Sequence, residues 1–262
     1  MENKKSKADI RQEKIRSMLI AKDFVTLNEF CLILKSSEAT IRNDLRYLEA
    51  KGLIKRTFGG ALATGNTAFN SNLAMRSLAH KQEKDEIADY VVKHVLKSGM
   101  TIILDTGTTS SELAKKIIQS DLDLTVLTNS FGVAEIMTKS NKIKLYLAGG
   151  LYNPLIDAFN DESAQIFFGS VRADIFFLSV NGISEEFGFT VSGNYNTTMK
   201  KLMIKAANLI CVTADNSKFN KVSLKVVCGY DDVDIVITDS GIDKDLLNRL
   251  LQRGVNIVLA SL

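Results

Sequence analysis

From Met100 onward the chain alternates between short apolar runs and stretches whose apolar residues recur every three or four positions. The runs MTIILD, LTVLTN, IKLYLA, ADIFFLSV, LICVTA, VDIVITD and VNIVLA are rich in β-branched residues, and this pattern predicts strands. Between them, TTSSELAKKIIQS, residues 131–138, residues 162–168, TTMKKLMIKAANL and DKDLLNRLLQRG predict helices. Ahead of these, EKDEIADYVVKHVLKSG sets Ile87, Tyr90, Val91 and Val95 on one side and ends in Gly99, a residue suited to a C-cap. Near-continuous apolar strands separated by helices predict a Rossmann-like, mostly parallel α/β domain covered on both faces. A ligand of such a sheet sits at the carboxyl ends of the strands.

The N-terminal quarter follows another pattern. Ile10, Ile15, Met18 and Leu19 suggest one face of a first helix, and TLNEFCLIL reads as a short second helix with Thr26 as N-cap. A third helix opens at Ser36 or Ser37 and carries the apolar stripe Ile41, Leu45 and Leu48. At about 100° per residue, Ala39, Arg42, Asn43 and Arg46 fall on a face turned away from that stripe. GLIKRTFGGALA then predicts two short strands around a glycine turn, with Lys55 and Arg56 exposed and Gly59-Gly60 permitting close approach. Three helices and such a wing make a winged helix-turn-helix, whose third helix enters a DNA major groove. Ser37, Ala39, Thr40, Arg42, Asn43 and Arg46 would face DNA from the helix, and Lys55 and Arg56 from the wing. TGNTAFNSNLAMRSLAHKQ has little periodicity and reads as a linker. The expected organisation is a winged helix over residues 1–62, a linker over 63–82 and an α/β effector-sensing and oligomerisation domain over 83–262.

Charge sharpens this division. Residues 1–60 hold 13 Lys and Arg against 8 Asp and Glu, while the remainder holds 20 against 22, so the basic excess of the whole chain lies in the small module. The 3 Cys (Cys31, Cys211 and Cys228) are widely spaced beside apolar runs and read as buried free thiols. The 2 His, His80 and His94, have no neighbour at ligand spacing, so neither a metal site nor a cofactor is expected. The polar N-terminus has no apolar segment behind it and no stretch approaches the ~18 apolar residues of a membrane span, which predicts a cytoplasmic protein away from membranes.

Polar residues gather where the strands should end. ILDTGTTSSELA places Asp105, Gly107, Thr108 and Thr109 between a strand and a helix N-terminus, an arrangement suited to an anion such as phosphate. It lacks the G-x4-G-K-[ST] pattern of a P-loop. LTNS adds Thr128, Asn129 and Ser130; LAGG adds Gly149 and Gly150; SVNGIS adds Asn181 and Gly182; TADNSKF adds Asp215 and Lys218. Lys200 and Lys201 open a helical turn beside this set, either as ligands, with Lys200 the candidate, or as a solvated pair. Each loop alone is an ordinary turn, but five at successive strand ends predict a binding site.

Arg11-x3-Ile15-x3-Leu19, Ser37-Glu38-Ala39-Thr40-Ile41-Arg42-Asn43-Asp44-Leu45 and Gly52-Leu53-Ile54-Lys55-Arg56-Thr57-Phe58-Gly59-Gly60-Ala61 together resemble the winged-helix domain of the deoxyribose-operon repressor (DeoR) family. DTGTT, TNS, GG, NGI and D-x-S-K-F occur in the order found in that family's sensor domains, so the resemblance spans nearly the whole chain. It implies a bacterial repressor of a sugar operon that binds operator DNA; since one small module recognises DNA weakly, a homo-oligomer, dimer or tetramer, is expected. It also implies a sensor similar to ribose-5-phosphate isomerases, with phosphorylated sugars or sugar-pathway intermediates as effectors. The chain departs from the family in carrying Asn43 for a second Arg, Phe58 for a His, and Asn194, Asn196, Thr197 and Thr198 where acidic residues usually precede the K-[KR]-x-M-I segment.

The competing reading is a sugar-phosphate isomerase with an appended DNA-binding arm. Sugar isomerisation needs a positioned general base. The related isomerases use a D-G-x-D-E segment, and the similarly placed stretch here is Asn181-Gly182-Ile183-Ser184-Glu185. With two of three carboxylates missing, binding without turnover is expected. An RNA-binding regulator is disfavoured because the basic module shows no aromatic stacking platform.

Overall fold

In the computed structural model the chain divides into two compact units, Met1–Ala79 and His80–Leu262. The structure describes residues 7–22, 24–57, 59–63, 76–154, 156–192 and 194–260. Phe58 and most of the expected linker fall outside these residues, as do the side chains of Asn194 and Asn196.

The first unit comprises α1 (Lys7–Lys22), β1 (Phe24–Thr26), α2 (Leu27–Leu34), α3 (Glu38–Ala50), β2 (Ile54–Thr57) and β3 (Gly60–Ala63). Thr26 caps α2 as expected. Its hydroxyl accepts the Glu29 amide at 3.1 Å, and the Glu29 carboxylate accepts the Thr26 amide at 3.0 Å. The short β1 was not legible in the sequence; it joins the wing to give an antiparallel sheet of order β1-β3-β2. Ser37, rather than Ser36, caps α3 by accepting the Thr40 amide at 3.3 Å. Ile15, Leu19, Phe30, Ile41, Leu45, Leu48 and Ile54 form the core. Ile10 is exposed, contrary to expectation. At 100° per residue it points about 140° away from Ile15, off the buried stripe. Asp44 is buried on α3, where it forms an ion pair with Arg11 and accepts Gln12 Nε2 at 3.0 Å. These contacts lock the third helix onto the first.

The second unit is built on α4 (Lys81–His94), β4 (Thr101–Leu104), α5 (Thr108–Gln119), β5 (Leu124–Thr128), α6 (Phe131–Met137), β6 (Ile143–Leu147), β7 (Tyr152–Asn153), β8 (Ala158–Phe159), α7 (Glu162–Ser170), β9 (Ala173–Leu178), β10 (Gly182–Ser184), β11 (Gly188–Val191), α8 (Asn194–Ala206), β12 (Ala207–Thr213), β13 (Lys225–Cys228), β14 (Ile235–Thr238), α9 (Lys244–Gln252) and β15 (Ile257–Leu259). Its main sheet has seven strands in the order β15-β14-β12-β9-β4-β5-β6, every pair parallel. Successive residues of β9 serve opposite faces. Ile175 and Phe177 pack with α4, α5 and α6, while Phe176 and Leu178 pack with α7, α8 and α9. This double coverage explains why the strands read as unbroken apolar runs.

Three departures from expectation concern short elements. α4 ends at His94, and Gly99, at φ 91°, instead makes a turn in which its amide donates to Asp123 O at 2.7 Å. Strands β10, β11 and β13 form an antiparallel sheet that packs Ile183, Phe189, Val191 and Val227 into the second core; these segments are too short and glycine-rich to show a period. β7 and β8 make a two-stranded ribbon. Cys211 and Cys228 are buried free thiols, with burial pushing Cys228 up to about 12, whereas Cys31 is half-buried. Among the described residues no helix is long and apolar enough to cross a membrane.

Gly182 marks a close approach. A Cβ there would fall 2.5 Å from the Lys221 carbonyl oxygen, whereas nothing lies within 4 Å of one at Gly149. Gly182→Ala should therefore destabilise the protein by about 1–3 kcal/mol, while Gly149→Ala stays within about 0.5 kcal/mol, as read by urea denaturation. Equal effects at the two positions would contradict the packing.

Candidate functional site

The exposed side of α3 and the wing carry the expected DNA-facing residues. Ser37, Ala39, Arg42, Asn43, Arg46, Lys55 and Arg56 are all exposed, and Thr40 is half-buried with its hydroxyl 2.8 Å from that of Ser37. Two of the cations already have anionic partners. Arg42 donates from Nε and an Nη to one oxygen of Glu38, at 2.9 and 2.5 Å. Arg56 donates its backbone amide and Nε to the two oxygens of Glu49, at 2.8 and 2.6 Å. Those contacts, the amide first and the guanidinium second, hold the Glu49 carboxyl below the usual range. Arg46 makes no ion pair among the described residues. Arg42 and Arg56 line one cleft together with Leu27, Leu45, Thr57 and Gly60.

In the second unit, strand order locates the candidate small-molecule site. The chain builds β5 and β6 on one side of β4, then crosses to β9, β12, β14 and β15 on the other. The topological switch point therefore lies between β4 and β9, and the crevice at their carboxyl ends is where such sheets hold ligands. Asp105 follows β4 and Ser179 follows β9. The Asp105 carboxylate accepts the Thr106 amide at 2.6 Å and the Ser179 amide at 3.2 Å, and forms an ion pair with Lys200 of α8. Lys200 Nζ also donates to Ser179 O at 2.9 Å. Both ionic side chains are about 3% exposed, so Lys200 is a buried member of the site and not a solvated cation, while Lys201 is exposed.

Above this pair, Gly107 precedes α5 at φ 130°, and Ser110 Oγ lies 3.0 Å from Ser179 Oγ across the crevice. The first amides of α5, on Thr108, Thr109 and Ser110, have no intrahelical acceptor by the geometry of a helix start. Thr128 is spent on the fold: its hydroxyl donates to Leu104 O at 2.8 Å and accepts the Ser130 amide at 3.0 Å. Ser130 caps α6 by accepting the Val133 amide at 3.3 Å. Asn129 Nδ2 fastens the ribbon by donating to Phe159 O at 3.0 Å and Asn160 Oδ1 at 2.9 Å.

The remaining expected residues flank this centre. Asn181 Oδ1 accepts the Ser192 amide at 3.0 Å, and Gly182 opens β10. Asp215, fully buried after β12, accepts the Ser217 amide at 3.1 Å, with Lys218 Nζ 3.7 Å from its other oxygen. Gly149 and Gly150 follow the edge strand β6. A Cβ on Gly150 would fall 2.1 Å from Asp161 Oδ1, so this glycine makes room for the acid that caps α7. Neighbouring strands lie ~4.8 Å apart, so the ends of β12, β9, β4 and β5 gather within ~15 Å and Gly149-Gly150 sits one strand further out.

Ser110, Ser179, Thr213 and Thr238 were missed as candidates. Their only sequence signal is a polar residue at the end of an apolar run or the start of a helix. Among the described residues, the buried side-chain oxygens without a hydrogen-bond partner are Thr57 Oγ1, Asn129 Oδ1, Thr213 Oγ1, Asp215 Oδ2 and Thr238 Oγ1. All but the first lie at the carboxyl ends of β5, β12 and β14.

A basic winged helix joined to a doubly covered parallel sheet with a polar switch-point crevice defines a DNA-binding regulator with a small-molecule sensor. Comparison with known proteins agrees. Residues 11–67 match the DeoR-like helix-turn-helix domain and residues 79–240 the DeoR C terminal sensor domain. The chain is 32% identical over 232 residues to the transcriptional repressor AccR of Agrobacterium fabrum, covering 88% of this chain and 89% of that one. It is 30% identical over 250 residues to the HTH-type transcriptional regulator GolR of Listeria innocua, covering 95% and 98%. This chain belongs to the DeoR family of transcriptional regulators. Ribose 5-phosphate isomerase A from Methanocaldococcus jannaschii aligns at a TM-score of 0.40 and 22% identity over 53% of this chain and 55% of that one, a likeness too slight to bear on activity.

The buried pair is a stability determinant. Lys200→Met leaves the Asp105 carboxylate buried without its cation and should cost about 3–5 kcal/mol in urea denaturation. The double variant with Asp105→Asn should recover part of that loss. Wild-type stability for Lys200→Met would mean that the pair does not hold β4 to β9.

Proposed function

We propose that this regulator represses a sugar-metabolism operon and that a phosphorylated sugar, held at the switch-point crevice, sets its grip on the operator. Residues 1–62 read DNA, through Ser37, Ala39, Thr40, Arg42, Asn43 and Arg46 on α3 and Lys55 and Arg56 on the wing. Residues 83–262 hold the effector and assemble the homo-oligomer, because one small module recognises too few base pairs to act alone.

The observation that carries the effector assignment is the set of buried side-chain oxygens without a hydrogen bond at the carboxyl ends of β5, β12 and β14. Buried polar groups ordinarily have hydrogen-bond partners, so Asn129 Oδ1, Asp215 Oδ2 and the two threonine hydroxyls favour a hydroxyl-rich ligand. Asp215 Oδ2 and Asn129 Oδ1 suit sugar hydroxyls, which donate to them. The phosphate lies on the amides and hydroxyls at Gly107, Thr108 and Thr109, favoured by the helix dipole, with Lys218 as counter-charge. Asp105 and Lys200 hold the crevice open at its floor.

The same geometry supports binding without turnover. A general base must be available to the substrate, yet Asp105 is committed to Lys200 and Glu185 is held by Arg249 at 2.8 Å, while Asp215, beside Lys218 and hydrogen-bonded to Ser217, suits orienting a hydroxyl better than taking a proton. An effector acts by binding two oligomer arrangements with different affinity, one of which fits the operator spacing.

Two experiments test this reading. Thermal-shift screening against phosphorylated sugars should find a stabilising ligand, worth about 2.7 kcal/mol at a hundred times its Kd, and it should leave that ligand chemically unchanged. Thr108→Val/Thr109→Val should abolish the shift while operator binding survives; a persisting shift would place the phosphate elsewhere. Separately, Arg42→Ala/Arg46→Ala should weaken binding to an operator duplex by about 1–3 kcal/mol per arginine without altering the effector-induced shift. Unchanged band shifts would overturn the DNA assignment.

A further inference from the structure

We propose that Glu38 and Glu49 are specificity-determining residues that restrain the two wing-side arginines, each carboxylate standing where a DNA phosphate would. The inference rests on the assignment of Arg42 and Arg56 to DNA.

Glu38 engages Arg42 through Nε and Nη, and Glu49 engages Arg56 through Nε and the main-chain amide. These are the donors that a phosphate oxygen would take. Both arginines line the same cleft between α3 and the wing, so the two acids neutralise one continuous surface. Arg46, on the neighbouring turn of α3, has no such partner among the described residues. Of the four cations assigned to DNA, Arg46 and Lys55 stay available and Arg42 and Arg56 are conditional.

Exposed ion pairs of this kind are worth roughly two- to fivefold in an equilibrium. That is enough to outweigh one stray phosphate, and too little to resist an operator that offers phosphate and base contacts together. On random duplex Arg42 and Arg56 stay on their acids. On the operator they transfer to the backbone. Glu49 also ties β2 to the last turn of α3 through the Arg56 amide, and glutamine keeps that acceptor while removing the charge.

The test uses the full chain and a fluorescein-labelled random-sequence duplex, followed by anisotropy over a range of salt. Glu38→Gln and Glu49→Gln should each bind about two- to fivefold more tightly than wild type. The slope of log affinity against log salt should steepen by up to about 0.9 per released arginine. In an Arg56→Ala background the gain from Glu49→Gln should fall below about twofold, since its partner is gone. Unchanged or weaker binding by both glutamine variants, at wild-type circular dichroism, overturns the proposal. So does a Glu49→Gln gain that persists in full without Arg56, which would make it an effect of net charge. If Arg42→Ala and Arg56→Ala themselves leave affinity for an operator duplex untouched, it is the DNA assignment that fails. If they weaken it while the glutamine variants are neutral, the assignment stands and the restraint falls.

Discussion

The sensor unit depends on one buried ion pair at the point where its sheet changes direction. Asp105 and Lys200 come from β4 and α8, distant in sequence, and meet across the end of β9, where Asp105 accepts from the main chain and Lys200 donates to it. Removing two charges from water is costly, and only dense hydrogen bonding makes such a pair tolerable. The return is positional. The pair ties the two strands that border the switch point, and so fixes the mouth into which the Gly107 turn and the α5 amides project.

The two units use charge in opposite ways. On the winged helix, cations stand in water, paired with carboxylates that are easily exchanged, as suits a surface that must meet a polyanion quickly and leave it again. In the sensor, polar groups are withdrawn from water and their acceptors are only partly satisfied. A ligand placed against such groups would be discriminated by hydrogen-bond matching, because one lacking the right hydroxyl would leave a buried acceptor unpaired. Asp44 shows a third use. It is an acid on α3, yet it points inward to Arg11 and fixes that helix from its buried side.

Within the candidate site, residue type and position diverged in meaning. Thr128, Ser130 and Gly150 stand where a ligand-binding reading expects them, but their side chains or their space serve caps and turns. Asp105 and Lys200 serve the crevice by bracing it. Ser179, Thr213 and Thr238 carry no motif, because a lone hydroxyl after an apolar strand is indistinguishable from a strand-ending polar residue. The antiparallel β10-β11-β13 sheet was illegible for a related reason: strands of three or four residues are too short to display a period.

What the chain determined by itself was its local periodicity and its charge distribution. The alternation of apolar runs and amphipathic stretches is a property of neighbouring residues, and it specified a doubly covered parallel sheet, the cap at Thr26, and the outward face of Arg42 and Arg46. What only the tertiary structure decided was pairing across distance. Strand order put the switch point between β4 and β9, joined Asp105 to Lys200, set Asp44 against Arg11 and left the acceptors of β5, β12 and β14 at the carboxyl ends of the strands. Periodicity says which way a side chain points along its own element, but it carries no information about the element that arrives opposite.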